Sequence, residues 1–174
     1  LIRGSIPYGR NVRSLPHPLN EEIDLGALRC AKHLNLGRAR LSLGTLGGGN
    51  HFIEADRDEK GSLYIVIHSG SRHIGCEVAE HYQEEGFRAP RGNVKAQIKE
   101  AVARLTAEGN AREIGRTIQE IKRNAAQTSL PRDLAYVEGP LFDDYIHDMK
   151  IIQRFAALNR KAMMTDPMSI EDHQ

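Results

Sequence analysis

Apolar residues recur most regularly toward the C-terminal end, where Phe142, Tyr145, Met149, Ile152, Ala156 and Met163 follow one another at spacings of three and four. That period turns one face of a helix toward a core. Asn159 is the one polar residue in the stripe. Pro140 sits where a first-turn proline loses no hydrogen bond, so the helix is predicted to begin beside it. Upstream, Asn20 ahead of Glu21-Glu22-Ile23 is an N-cap signal that predicts a helix running to about His33. Leu1 to Pro18 is broken by prolines and glycines and reads as a loop with a short strand. Arg40 to Gly44 shows no clear period, and Gly47-Gly48-Gly49 interrupts any regular element.

The middle of the chain predicts a hairpin and three more helices. His51–Ala55 and Leu63–His68 are apolar-rich runs separated by a charged turn with Gly61, a hairpin pattern. A turn symmetric about Glu59–Lys60 pairs His51 directly with His68, so that both imidazoles leave the same face. Phe52 and Glu54 then fall on the other face, near Ile65 and Ile67. A carboxylate buried there would need a partner, which makes Glu54 a candidate ligand contact. A slip of one residue would send the two histidines to opposite faces. Arg72 to Glu85 predicts a helix with Ile74, Val78 and His81-Tyr82 on one side. Lys95–Leu105 and Arg112–Asn124 predict two charged surface helices, so residues 90–128 read as a helical insertion. The fold class is α+β: a mixed sheet with a histidine-bearing hairpin flanked by helices, its edges open to self-association.

Composition narrows the setting more than the activity. With 174 residues, 40% hydrophobic and 27% charged, the chain can build one domain with a core. A net charge of +1 provides no overall attraction for nucleic acid, although a local basic patch remains compatible with it. Cys30 and Cys76 have no CxxC spacing, which argues against a disulfide scaffold or a zinc knuckle and for reduced thiols in the cytoplasm. No run approaches the roughly 20 apolar residues of a membrane span, and Leu1-Ile2-Arg3 does not resemble a signal peptide. The first residue is not Met, as expected of a piece of something longer.

Candidate chemistry concentrates in Leu43-Gly44-Thr45-Leu46-Gly47-Gly48-Gly49-Asn50-His51-Phe52-Ile53-Glu54. Three glycines let a ligand come close to the backbone. A P-loop would end in Gly-Lys-Ser/Thr, where Asn50-His51 stands, and a dinucleotide fingerprint would need glycine at Phe52. A plain turn leading into a strand stays open as the alternative. Two imidazoles on one face suit a shared metal ion or one ion each of a close pair; half-buried structural histidines are the competing reading. His68-Ser69-Gly70-Ser71-Arg72 offers N–H and hydroxyl donors before a helix, with Arg72 able to grip a phosphate; an ordinary helix cap would use the same residues. His17, His33, His81, His147 and His173 show no ligand spacing and read as surface or structural. Cys76 reads as a thiol buried on its helix.

These two motifs resemble the RtcB family of RNA-splicing ligases. So do Ile6-Pro7-Tyr8-Gly9, Asp133-Leu134-Ala135-Tyr136, Phe142-Asp143-Asp144-Tyr145 and Leu158-Asn159-Arg160-Lys161-Ala162-Met163-Met164, in the same order along the chain. The resemblance implies ligation of RNA ends bearing a 3′-phosphate or 2′,3′-cyclic phosphate to 5′-hydroxyl ends, using GTP and Mn2+. It implies that His51 and His68 hold metal, that Asn50, His51, Phe52, Ile53 and Glu54 bind guanylate, and that Arg72 meets RNA phosphate. tRNA halves or broken RNA ends are the implied substrates, and an activating partner protein is a further expectation. The family's Asp-x-Gly-Cys segment, its later metal-binding histidine and its guanylated histidine have no match here, so the chain reads as one partial catalytic domain, inactive by itself. His73 stands where many relatives have glycine. A non-catalytic scaffold derived from the ligase and a metal-dependent hydrolase sharing the hairpin are the alternatives.

Overall fold

The computed structural model describes residues 5–128 and 131–168. They belong to two compact units, Leu1–Ala79 with Asp144–Gln174, and Glu80–Asp143. The class is mixed helix plus a small antiparallel sheet, consistent with α+β.

In the first unit, the helix expected over residues 20–33 is replaced by three short 3-10 turns, Pro18–Glu22, Leu25–Ala27 and Ala31–His33. Local hydrogen bonds explain the substitution. His17 Nδ1 accepts from Leu19 N at 3.1 Å, and Asp24 accepts from Gly26 N at 2.8 Å. Side chains that bond the backbone two residues onward compete with helix propagation. Extended conformations at Ile23, Leu28 and Leu34 end each turn. Only the first part of the periodless Arg40–Gly44 segment is helical, as the end of α1 (Leu36–Ser42), which Asn35 caps by accepting from Arg38 N at 3.0 Å, while Leu43 is extended.

Strands β1 (Phe52–Arg57) and β2 (Leu63–His68) pair antiparallel. Their register differs by one residue from the symmetric expectation: Phe52, not His51, lies opposite His68, and Glu54 lies opposite Val66. The turn causes the difference. Asp58 Oδ1 accepts from Lys60 N and Ser62 N, and Gly61 takes a left-handed φ of 86°. An odd, five-residue loop thus centres the hairpin on Lys60. Phe52, Glu54 and Asp56 consequently share the face of His68, Val66 and Tyr64. Glu54 is exposed, so the expected cost of burying its carboxylate does not arise.

Helix α2 (His73–Ala107) begins after the hairpin and continues where two separate helices were expected. Cys76 is exposed on it, not buried. Within the second unit, α3 (Ile114–Thr128) follows, and the carbonyl of Tyr136 lies so close to Gly86 that a Cβ there would meet it at 2.3 Å. Helix α4 (Gly139–Met168) carries the predicted stripe, rotated. Phe142 is exposed, whereas Asp148, Ile152, Phe155, Asn159 and Ala162 are buried. A buried carboxylate shifts the face: Asp148 accepts from the backbone N–H of Arg29 at 2.8 Å and of Cys30 at 3.1 Å. The core of the first unit gathers Leu25, Leu28, Leu43, Ile74, Val78, Phe155 and Met163. Among the described residues, no helix is long and apolar enough to cross a membrane.

Candidate metal and nucleotide site

The site is built on a loop and a helix before the hairpin contributes anything. After α1, Leu43 turns extended, and Gly44-Thr45 run beneath α4. The Asn159 side chain binds both flanks of the future site. Its Oδ1 accepts from Gly44 N at 2.7 Å and Thr45 N at 3.1 Å, while its Nδ2 donates to Thr45 O at 3.2 Å and Gly70 O at 3.0 Å. Two backbone donors on one oxygen leave no ambiguity about which way the amide faces. Arg160 adds a bond to Ser69 O at 3.0 Å. Arg13 holds the loop from the other side through Leu43 O at 3.0 Å and Gly44 O at 2.7 Å, and is itself paired with Asp166. Leu46 N donates to Pro7 O at 2.8 Å, joining the early loop to the same frame.

His51 precedes β1 and is half-buried. Its Nδ1 lies 3.1 Å from Ser69 Oγ. Although the register shifted, the two candidate imidazoles do meet, because His51 lies just outside the ladder and escapes strand alternation. Their ring centroids are 5.9 Å apart with planes at 70°. With a metal–nitrogen distance of roughly 2.1 Å, two imidazoles on one ion have centroids no more than about 6.5 Å apart. The spacing therefore suits a shared ion as well as one ion each. His68 is exposed and also stacks on Phe52, with centroids 5.3 Å apart and planes at 17°. Burial lowers the His51 pKa, helped by the positive Arg72 and by His68, which favours the neutral imidazole that can act as a ligand.

Gly47 explains part of the glycine run. A Cβ at that position would lie 2.5 Å from both Arg72 Nη1 and His51 Nδ1, so the two side chains converge on the bare backbone. Arg72 has a left-handed φ of 58°, held by bonds from Nε to Thr45 Oγ1 at 2.9 Å and from Nη2 to Gly9 O at 2.7 Å. Burial also lowers its pKa, with Arg38 adding to the effect. Of the remaining expected contacts, Asn50 is exposed in the loop, Phe52 and Glu54 are exposed on β1, and Ile53 is half-buried. His73 is exposed and lies 3.5 Å from Glu77, turned along its own helix.

Among the described residues, no group of three or more His, Cys, Asp or Glu side chains surrounds a common point. The described residues bring two imidazoles together, and any further donors to a cation would be water or ligand oxygens or other protein groups. Other histidines have structural partners: His17 Nε2 lies 3.1 Å from Asp166, and His147 Nδ1 lies 3.0 Å from Asp148. His173 lies outside the described residues. Ser69, Thr45 and Arg160 stand in the quoted motifs, but their sequence gave no sign that they brace the loop and the His51 ring. Asn159 did: a polar residue at a core position of an apolar stripe must find partners.

Comparison with known proteins agrees with the motifs. The family model described as tRNA-splicing ligase RtcB matches residues 19–170. The RNA-splicing ligase RtcB of Escherichia coli is 35% identical over 124 residues, which is 70% of this chain and 22% of that protein. An RNA-splicing ligase RtcB homolog of Entamoeba dispar is 30% identical over 89 residues, covering 42% of this chain and 15% of the relative. No solved structure matches the chain significantly. The chain thus spans about a fifth of the length of the bacterial relative. It belongs to the tRNA-splicing ligase RtcB family.

Proposed function

We propose that this chain forms part of the metal and guanylate site of an RNA ligase acting in the cytoplasm. The substrates would be RNA with a 3′-phosphate or 2′,3′-cyclic phosphate and RNA with a 5′-hydroxyl, such as tRNA halves or broken RNA ends. GTP would supply the activating guanylate, and an activating protein would be a further partner of the complete ligase. The observation that carries it is the approach of the His51 and His68 rings to 5.9 Å beside Gly47.

The donor set fits manganese as a partial shell. Neutral imidazoles bind many divalent ions, and the choice of manganese comes from family membership, not from nitrogen donors. When bound, the ion neutralises charge on phosphate and favours ionisation of an attacking group. This chain's residues would do the rest of the local work. His51 and His68 would hold the ion. Asn50, Phe52, Ile53 and Glu54, along the start of β1, would line the guanylate. Arg72, half-buried beside His51, would present positive charge to an RNA phosphate while Thr45 and Gly9 fix its guanidinium.

The chain alone should form no covalent guanylate, since no residue in it matches the family's guanylated histidine. Incubation with Mn2+ and labelled GTP is expected to leave it unlabelled. A version extended through the matching later segment of the family should be labelled, and His51→Ala should abolish that label. A labelled short chain would contradict the assignment. An unlabelled extended chain would favour a non-catalytic scaffold.

A further inference from the structure

We infer that Ser69 is a positioning residue that fixes the His51 ring so that Nε2 is the nitrogen offered to a divalent cation. The inference rests on the proposed metal reading and adds to it the group that aims the ligand.

The argument starts at Nδ1. Ser69 Oγ lies 3.1 Å from it and occupies that side of the ring. The opposite ring nitrogen, Nε2, is the one left for a ligand. Rotation is restricted, because the ring edge at Nδ1 and Cγ packs against Gly47, where a Cβ would stand only 2.5 and 2.7 Å away. Ser69 is buried and is itself held at two points, with Gly70 held beside it: its hydroxyl oxygen lies 3.3 Å from Asn159 Nδ2, whose two protons are shared with Thr45 O and Gly70 O, and its carbonyl receives Arg160 Nη1 at 3.0 Å. A serine oxygen has two lone pairs and one proton. With one lone pair facing Asn159, the other can accept the Nδ1–H of His51. A cation at Nε2 requires that arrangement, since Nε2 must be bare and the ring proton must reside on Nδ1. Imidazole ligands are commonly oriented by an oxygen accepting from their second nitrogen, and loss of that oxygen typically weakens metal binding 10- to 100-fold. The chain from α4 to the metal thus runs Asn159, Ser69, His51.

A double-mutant cycle on manganese binding tests this. Mn2+ alone is titrated into the full chain, with affinity followed by proton relaxation enhancement, for wild type, His51→Ala, Ser69→Ala, Ser69→Thr and the Ser69→Ala/His51→Ala double variant. The expected result is a loss of about 10-fold or more in Ser69→Ala, recovery in Ser69→Thr, and no further loss when Ser69→Ala is added to His51→Ala. Thermal unfolding of Ser69→Ala should stay close to wild type, because Asn159 keeps Thr45 O and Gly70 O as acceptors. Equal losses from Ser69→Ala with and without His51 would mean that serine acts on the fold and would overturn the assignment, leaving the metal reading intact. Unchanged affinity in His51→Ala would remove the metal reading and this assignment together. As a control independent of metal and variants, 15N spectra of the metal-free wild type should show His51 Nδ1 hydrogen-bonded; a solvent-like Nδ1 would overturn the positioning role directly.

Discussion

The base of the site and the hairpin that rises from it are held in contrasting ways. At the base, Gly44, Thr45, Ser69 and Gly70 are joined by one fully buried side chain, Asn159, through bonds of 2.7 to 3.3 Å. Beyond it, β1 and β2 form a two-stranded sheet most of whose apolar residues stay exposed, Leu63 at 67% and Ile65 at 45%. A two-stranded ribbon contributes little stability of its own. The comparison separates two tasks. The base sets the positions of His51 and Arg72, while the ribbon carries His68, Phe52 and Glu54 without anchoring the unit.

The sharpest way to break the base is Asn159→Ala. It strands the buried N–H groups of Gly44 and Thr45, and each unsatisfied donor costs about 1–3 kcal/mol. Denaturant unfolding should show a loss of about 3–4 kcal/mol in all. A loss below about 1 kcal/mol would mean that water or a shifted backbone replaces the amide easily.

Asp148→Asn comes next, with about 2–3 kcal/mol expected from weakened charge-assisted bonds to the Arg29 and Cys30 backbone. Burial pushes the Asp148 carboxyl up, but hydrogen bonds from Arg29 N, His147 and Cys30 together outweigh it and hold the group below the usual carboxylate range. A lowered pKa adds stability above the unfolded value of about 3.9, and that stability is lost as pH falls through the lower folded value. The Asn variant should therefore lose part of the acid dependence of unfolding. Cys30 acts at the other limit. Burial, with Asp148 beside it, pushes its thiol up to about 12, so stability should decline as pH rises from roughly 8.5 toward that value. Cys30→Ala should flatten the alkaline limb of a pH–stability curve.

Gly47→Ala should cost about 1 kcal/mol in stability, while displacing His51 and Arg72 from where they converge. Its signature is a loss of metal affinity out of proportion to the change in unfolding. The smallest effect belongs to the ribbon. Ile65→Thr, on an exposed strand position, should shift unfolding by no more than about 0.5 kcal/mol. A larger shift would show that the hairpin supports the unit more than its exposure implies.

What the sequence disclosed follows the same division. The hairpin, the long C-terminal helix and the loop carrying the motif were legible because apolar period and glycine placement are local signals. The register was not, since Asp58 closing onto Lys60 and Ser62 selects a five-residue turn that symmetry does not reveal. The helix expected from Asn20 failed for a related reason, as His17 and Asp24 captured nearby backbone N–H groups. The nearness of the His51 and His68 rings was anticipated, but from a register that is off by one residue. The bracing of Ser69 by Asn159 and Arg160 was hidden because those partners lie about 90 residues away in sequence. Asn159 announced itself as a polar break in an apolar face, although not what it would bind.

The most direct test is anomalous diffraction from crystals of the chain soaked in Mn2+. A peak within coordination distance of His51 Nε2, with the His68 ring alongside, is the predicted result. Manganese bound only elsewhere, or His51 turned so that Nδ1 faces the ion and Ser69 stands apart, would contradict the account.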